Sequence, residues 1–324
     1  MNVRYSKETL HARPFNDRVV DYTRWHLIAQ PAKTIDRKLT GEYSWEWTKN
    51  ELYMKTEEIN FMKNKILTTN FHTHTTRCNH AAGEDRQYVE EAIKGGLKVL
   101  GFSDHSPYFF SGDYYSTFRM KREQVPGYVD SILALKKEYK DDIEIKLGFE
   151  TEYYPKYFDK LLEFYSQYPI DYIIMGQHFV LNEEEHIYSG ELHHEEDMMM
   201  RYVDQVIEGL ETGCFTYLAH PDLLKFGGSK ENYEKAADKL CVYAAKNKVP
   251  LEINMLGMRE HRHYPNFEFF KIAARHNCDI ILGCDAHEPK DVCDLESAKT
   301  ALEWCRELGL NRIEYPELKK PCRK

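Results

Sequence analysis

From Ile66 onward, short apolar runs rich in β-branched residues alternate with longer amphipathic stretches. The runs are Ile66–His74, Lys98–His105, Glu144–Tyr153, Tyr172–Val180, Phe215–Asp222, Pro250–Met255 and Cys278–His287. Several are almost continuous in Ile, Leu, Val and Phe, the pattern of parallel strands buried on both faces. Between them, apolar positions recur with helical spacing over 86–94, 123–139, 196–212, 231–247, 266–276 and 294–308. In the first of these, Tyr88, Val89, Ala92 and Ile93 mark one face and Gly95-Gly96 supplies a stop. Repeated strand–helix units predict a parallel sheet, open or closed into a barrel. Residues 62–324 match the roughly 250 residues typical of an α/β barrel. Residues 1–61 have no clean apolar period and hold Trp25, Trp45 and Trp47, three of the four tryptophans. They read as an N-terminal extension whose order the pattern leaves open.

Polar residues interrupt this pattern at the C-terminal ends of the runs. The first ends in His72-Thr73-His74, the second in Ser103-Asp104-His105, and the third carries Glu150. The fourth ends in Gln177-His178, the fifth in Ala219-His220-Pro221-Asp222, and the last in Asp285-Ala286-His287. In α/β barrels that rim is where active sites are built. Residues i and i+2 of a strand share a side, so His72 and His74 can reach one ion, as can Asp285 and His287. Neutral imidazole with carboxylate suits zinc, manganese or iron. A lone histidine at a strand end is more often solvated or locally bonded, and HxH or DxH alone is weak. The weight lies in the same kind of interruption at the ends of six buried strands.

Composition narrows the setting. Hydrophobic residues make up 42% and charged residues 30%, too apolar for a disordered chain. No apolar run approaches the ~20 residues of a membrane helix, and the N-terminus lacks a secretory stretch. The net charge of −9, without a basic block, argues against a nucleic-acid partner. Eight scattered cysteines with no CxxC pair read as reduced thiols of a cytoplasmic protein.

The stretches NFHTHTTRCNHAAG (70–83), YVEEAIKGGLKVLGFSDHSP (88–107), KLGFETEYYP (146–155), DYIIMGQH (171–178), YLAHPDLLKFG (217–227), LEINMLGMR (251–259) and ILGCDAHEP (281–289) carry a resemblance. The chain resembles the PHP (polymerase and histidinol phosphatase) superfamily, and within it the monofunctional histidinol-phosphate phosphatases. The resemblance implies a distorted seven-stranded (β/α) barrel holding three divalent ions (zinc, manganese or iron). By similarity, His72, His74, Glu150 and Asp285 would surround one ion. Glu150 would bridge to a second ion held by His178 and His220. His80, a loop residue beside Cys78 that the strand pattern does not select, would hold the third with His105 and His287. Cys78 itself reads as a packed thiol.

The implied substrate is a small phosphate monoester, L-histidinol phosphate above all. Two carboxylates cannot neutralise three divalent ions, so such a site would attract a phosphate dianion in spite of the acidic chain. Arg259, expected in a loop after the sixth strand, would offer a guanidinium fork to phosphate oxygens. Asn254 would add a second polar contact, and Asp285 or His220 would protonate the leaving alkoxide. The sequence has neither a CxxxxxR loop nor a DxDx[TV] motif, so no phosphoenzyme nucleophile is indicated. Three rivals share some of these features. Another PHP phosphoesterase, acting on a nucleotide, sugar phosphate or phosphotyrosine, would have the same ligand set. An amidohydrolase-type hydrolase usually bridges its metals with a lysine after the fourth strand, where this chain has His178. A non-catalytic metal-binding protein would be expected to have lost ligands, and none is missing.

Overall fold

The structure is a computed structural model that describes residues 66–321. The extension expected over 1–61, and its boundary, lie outside these residues. The chain alternates strand and helix: β1 (Thr69–Asn70), α1 (Asp85–Gly95), β2 (Val99–His105), α2 (Val125–Glu138), β3 (Glu144–Thr151), α3 (Pro155–Tyr165), β4 (Tyr172–Met175), α4 (Met198–Glu211), α5 (Lys230–Asn247), β5 (Leu251–Asn254), α6 (Met255–Arg259), α7 (Phe267–Arg275), β6 (Asp279–Gly283), α8 (Leu295–Leu308) and β7 (Asn311–Arg312). Strands β1–β4 form one parallel sheet in sequence order, and β5–β7 form a second. Met175 bridges to Leu218 and Leu218 to Leu251, while Thr73 bridges to Ala286. The sheet curls into at least a half-barrel with its strand C-termini at one rim.

All six helices expected from the apolar period are present within two or three residues of their expected ends. Helix α3 was not expected, although Pro155 opens it and Tyr157, Phe158, Leu161, Leu162 and Tyr165 make its buried face. The expected fifth strand, Phe215–Asp222, holds only the bridge at Leu218. Its backbone alternates between neighbours, donating from Thr216 to Ile173, from Leu218 to Pro250 and from Ala219 to Met175. It then turns sharply at His220, so no longer ladder can form. Strand β7 pairs with Asp279 and Ile280; the two polar residues that form it give no apolar signal.

Phe71, Val99, Tyr172, Ile174, Tyr217, Ala219 and Ile281 pack together within the curl of the sheet. A larger core joins the outer strand faces to the helices. Hydrophobic packing thus fills the closed end and leaves the strand C-termini as the place where polar groups converge. No helix among the described residues is long and apolar enough to cross a membrane, and no disulfide joins their cysteines.

Candidate metal centre

Seven of the expected residues line one open cavity of about 610 Å³: His80, His105, Glu150, His178, His220, Asp285 and His287. His72 and His74 lie beneath it, wholly buried. Glu150, on β3, is the hub. Its Oε2 lies 3.1 Å from His105 Nδ1 and 3.5 Å from His72 Nε2 and His74 Nε2. Its Oε1 lies 2.8 Å from His220 Nε2 and 3.5 Å from His178 Nε2. Asp285 Oδ1 lies 3.1 Å from His74 Nε2, 3.4 Å from His287 Nδ1 and 3.6 Å from His72 Nε2. On the outer side, His80 Nε2 and His287 Nε2 face one another at 3.0 Å.

The backbone is bent to bring two of these groups inward. His220 and Asp285 have φ of 29° and 45°, in the left-handed region that costs a non-glycine residue roughly 1–3 kcal/mol. Both corners are held by the same residue network. The His220 amide donates to Glu252 Oε2 at 3.0 Å. Asn254 Nδ2 donates to Glu252 Oε2 at 2.9 Å and to Asp285 Oδ2 at 3.0 Å.

Other partners set the ring faces. His72 Nδ1 donates to Glu252 at 2.8 Å, His178 Nδ1 to Glu152 at 2.9 Å, and His80 Nδ1 to the Cys78 carbonyl at 2.9 Å. Each bond places the proton on Nδ1 and leaves Nε2 free for the centre. Glu252 and Glu152 are fully buried and were not singled out from the sequence. The available signal was a carboxylate inside an apolar strand, two residues before Asn254 and two after Glu150. Two glycines give the carboxylates room. A Cβ on Gly176 would collide with Glu150, and one on Gly283 with Glu252.

Burial alone would lower the His72 pKa, but Asp285, Glu252 and Glu150 outweigh it and hold the ring well above the usual 6.5. For His74, burial is likewise outweighed, chiefly by Asp104 and Asp285, and the pKa rises to about 9. Burial and then the charge of His74 push His105 and His287 well below 6.5. Burial would raise both central carboxyls. Instead, the surrounding imidazoles hold Glu150 and Asp285 well below the usual range.

The donor set fits divalent ions. His72 Nε2, His74 Nδ1 and Nε2, His105 Nδ1, His220 Nδ1 and Asp285 Oδ1 are buried without a hydrogen-bond partner. Of these, His72 Nε2, His74 Nε2 and His105 Nδ1 meet Glu150 Oε2 or Asp285 Oδ1 within 3.6 Å, a concentration of desolvated groups whose cost cations would relieve. Donor atoms of His72, His74 and Glu150 lie within 4.8 Å of one another, as do those of His72, His220 and Asp285, and of His80, His105 and His287. Cys78 groups with His74 and His287 in the same way, and burial pushes its thiol well up.

Two expected substrate contacts, Asn254 and Arg259, are not among the residues that line the cavity. Asn254 is fully buried behind Glu252 and Asp285, and its Oδ1 caps α6 by accepting from Gly257 N–H at 3.0 Å. Arg259 is the last residue of α6, not a loop residue, and pairs with Asp294 at 2.9 Å and Asp291 at 3.5 Å. The guanidinium that lines the cavity is Arg262, three residues on.

Gly283→Ala should displace Glu252 and so free the His72 ring. Metal affinity measured by chelator competition should fall roughly 10–100-fold, as when outer partners of ligating histidines are removed. In the metal-free chain, the raised His74 pKa contributes stability that is complete below 6.5 and lost as pH rises through about 9. Metals require the neutral ring. Uptake near neutral pH should therefore release protons, and affinity should climb as pH rises toward 9. Zinc calorimetry in buffers of differing protonation enthalpy checks this; uptake without proton release would contradict it.

A family model, "PHP domain", matches residues 70–256. The chain is 32% identical over 234 residues to "Probable histidinol-phosphatase" of Deinococcus radiodurans, covering 68% of this chain and 86% of that one. It is 25% identical over 254 residues to "Histidinol-phosphatase" of Bacillus subtilis, covering 68% of this chain and 94% of the other. Its fold is similar to the crystal structure of histidinol phosphate phosphatase from Lactococcus lactis, described as complexed with zinc, L-histidinol and phosphate. That match has a TM-score of 0.60 at 20% identity and covers 79% of this chain and 98% of the other. Strand-end ligand geometry and sequence relationship agree: the chain belongs to the PHP domain family, alongside its histidinol-phosphatases.

Proposed function

We propose that the chain is a metal-dependent phosphatase that hydrolyses L-histidinol phosphate to L-histidinol and phosphate. The observation that carries this reading is the set of nine ligand-type side chains converging on the floor of a cavity walled by aromatic residues and one arginine. The histidinol-phosphatase relatives support the substrate. We also propose that residues 62–324 form one domain whose two sheets close into a distorted seven-stranded barrel, which the bridges at Leu218 and Thr73 support.

In this reading, His72, His74, Glu150 and Asp285 would hold one ion, Glu150, His178 and His220 a second, and His80, His105 and His287 a third. Divalent ions supply positive charge for the phosphoryl oxygens and a water made acidic near neutral pH. Zinc, named for the Lactococcus enzyme, suits this imidazole-rich set, and manganese or iron would also suit it. Arg262 grips the phosphoryl group. Glu260 accepts from its Nε at 2.8 Å and Tyr264 from its Nη1 at 2.8 Å, so the fork is oriented before substrate arrives. Phe118, Phe179 and Tyr188 enclose the leaving group and limit water. Asp285, which lines the cavity, accepts the proton from the attacking water. The same proton then passes to the departing alkoxide oxygen; His220, which also lines the cavity, is the alternative donor.

Steady-state kinetics on L-histidinol phosphate, nucleoside monophosphates, sugar phosphates and a phosphotyrosine peptide test the substrate. The histidinol ester should have the highest kcat/KM, and preference for another ester would move the protein to a different PHP activity. Chelation, His72→Ala and Asp285→Ala should each cost more than the roughly 10–100-fold expected of outer partners; full activity in all three would refute the metal mechanism. Arg262→Ala should lower kcat/KM by on the order of 10–150-fold, the equivalent of ~1.5–3 kcal/mol for a hydrogen bond to a charged group. Arg259→Ala should instead act mainly on thermal stability.

A further inference from the structure

Arg119 lies in the excursion between β2 and α2, outside the cluster, and is 3% exposed. A guanidinium has five N–H groups in a fixed fork, and here all five are used. Nη1 donates to the Ser106 carbonyl at 2.9 Å and to Glu152 Oε2 at 3.0 Å. Nη2 donates to Glu152 Oε1 at 2.9 Å and to Glu183 Oε2 at 2.6 Å. Nε donates to Glu183 Oε2 at 2.9 Å and Ser116 Oγ at 3.1 Å. The guanidinium also lies 4.3 Å from the centroid of the Phe118 ring, which lines the cavity.

Glu152 is the link to the centre. Both of its oxygens are gripped by Arg119, and Oε1 also accepts the His178 Nδ1 proton. We propose that Arg119 is a positioning residue for the metal centre: it fixes the carboxylate plane of Glu152 and thereby the ring orientation and tautomer of His178. The proposal rests on reading His178 as a metal ligand. A carboxylate held by His178 alone could rotate about its last bond, and the imidazole would turn with it. A bidentate fork removes that rotation, and an ammonium, a point donor, does not. The same guanidinium stacks on Phe118, so one buried group sets both a ligand ring and the cavity wall that faces it. The opposite side of Arg119 serves a separate purpose. Glu183 belongs to the loop after β4, and its bonds to Arg119 tie that loop down without involving Glu152.

This division supplies the test. Zinc-loaded wild-type protein, Arg119→Lys, Glu152→Gln and Glu183→Gln are challenged with a chelator, and the rate of zinc loss is followed beside thermal melting, kcat and KM. Arg119→Lys and Glu152→Gln should release part of their zinc at least about tenfold faster than wild type and lose kcat more than they change KM. Glu183→Gln should melt earlier yet keep zinc as wild type does. Wild-type retention in Arg119→Lys would overturn the proposal. So would equal acceleration in Glu183→Gln, which would assign the effect to the loop. If Arg119→Lys does not fold, Glu152→Gln decides by the same criterion. A wild-type protein that takes up no zinc removes the metal-centre reading and this proposal together. That failure is distinct, because it appears before any substitution.

Discussion

The burial of Glu150 among imidazoles is the constraint around which the rest of this molecule is arranged. A carboxylate 1% exposed would be intolerable alone, and five histidine nitrogens within 3.5 Å of its oxygens make it tolerable. Those imidazoles come from three different strand ends and the segment that leads into His220. The chain can therefore satisfy Glu150 only if the strands run parallel, in register, with their C-termini at one rim. Asp285 and Glu252 extend the same balance, each shared between groups from separate strands. Apolar packing below and charge balance above are two halves of one solution.

That balance has local costs, met by particular residues. Two left-handed corners, at His220 and Asp285, are stabilised by Glu252 and Asn254, which are themselves buried and have most of their hydrogen-bonding capacity in use. Glycine at 176 and 283 is required because carboxylates occupy the space a Cβ would take. The floor of the cavity is thus stiff: strand ends, buried ion pairs and strained turns that cannot shift independently. The walls are built differently. Phe118, Phe179 and Tyr188 stand on loops after β2 and β4, and Arg262 and Tyr264 on the connection from α6 to α7. Chemistry common to a family can stay on the strands while these loops set which ester fits.

By itself, the sequence determined most of the strand and helix order and the placement of eight of the nine ligand-type residues at strand ends. Both follow from short-range rules: buried parallel strands need continuous apolar runs, and a polar residue closing such a run stands out. His80 lay beyond those rules because it sits in a loop, and only resemblance to the PHP superfamily brought it in. The tertiary structure decided what periodicity cannot encode. It joined the 215–222 segment to its neighbours through single bridges and added β7 from two polar residues. It set Asn254 behind Glu252 and Asp285, paired Arg259 with Asp291 and Asp294, and brought Arg262 to the cavity. Which of two arginines three residues apart faces a cavity depends on the carboxylates that each one meets. Asp291 and Asp294 lie more than thirty residues along the chain from Arg259, and no local pattern places them beside it. Glu252, Glu152 and Arg119 belong to the same class: their importance lies in partners distant in sequence, and folding alone brings those partners together.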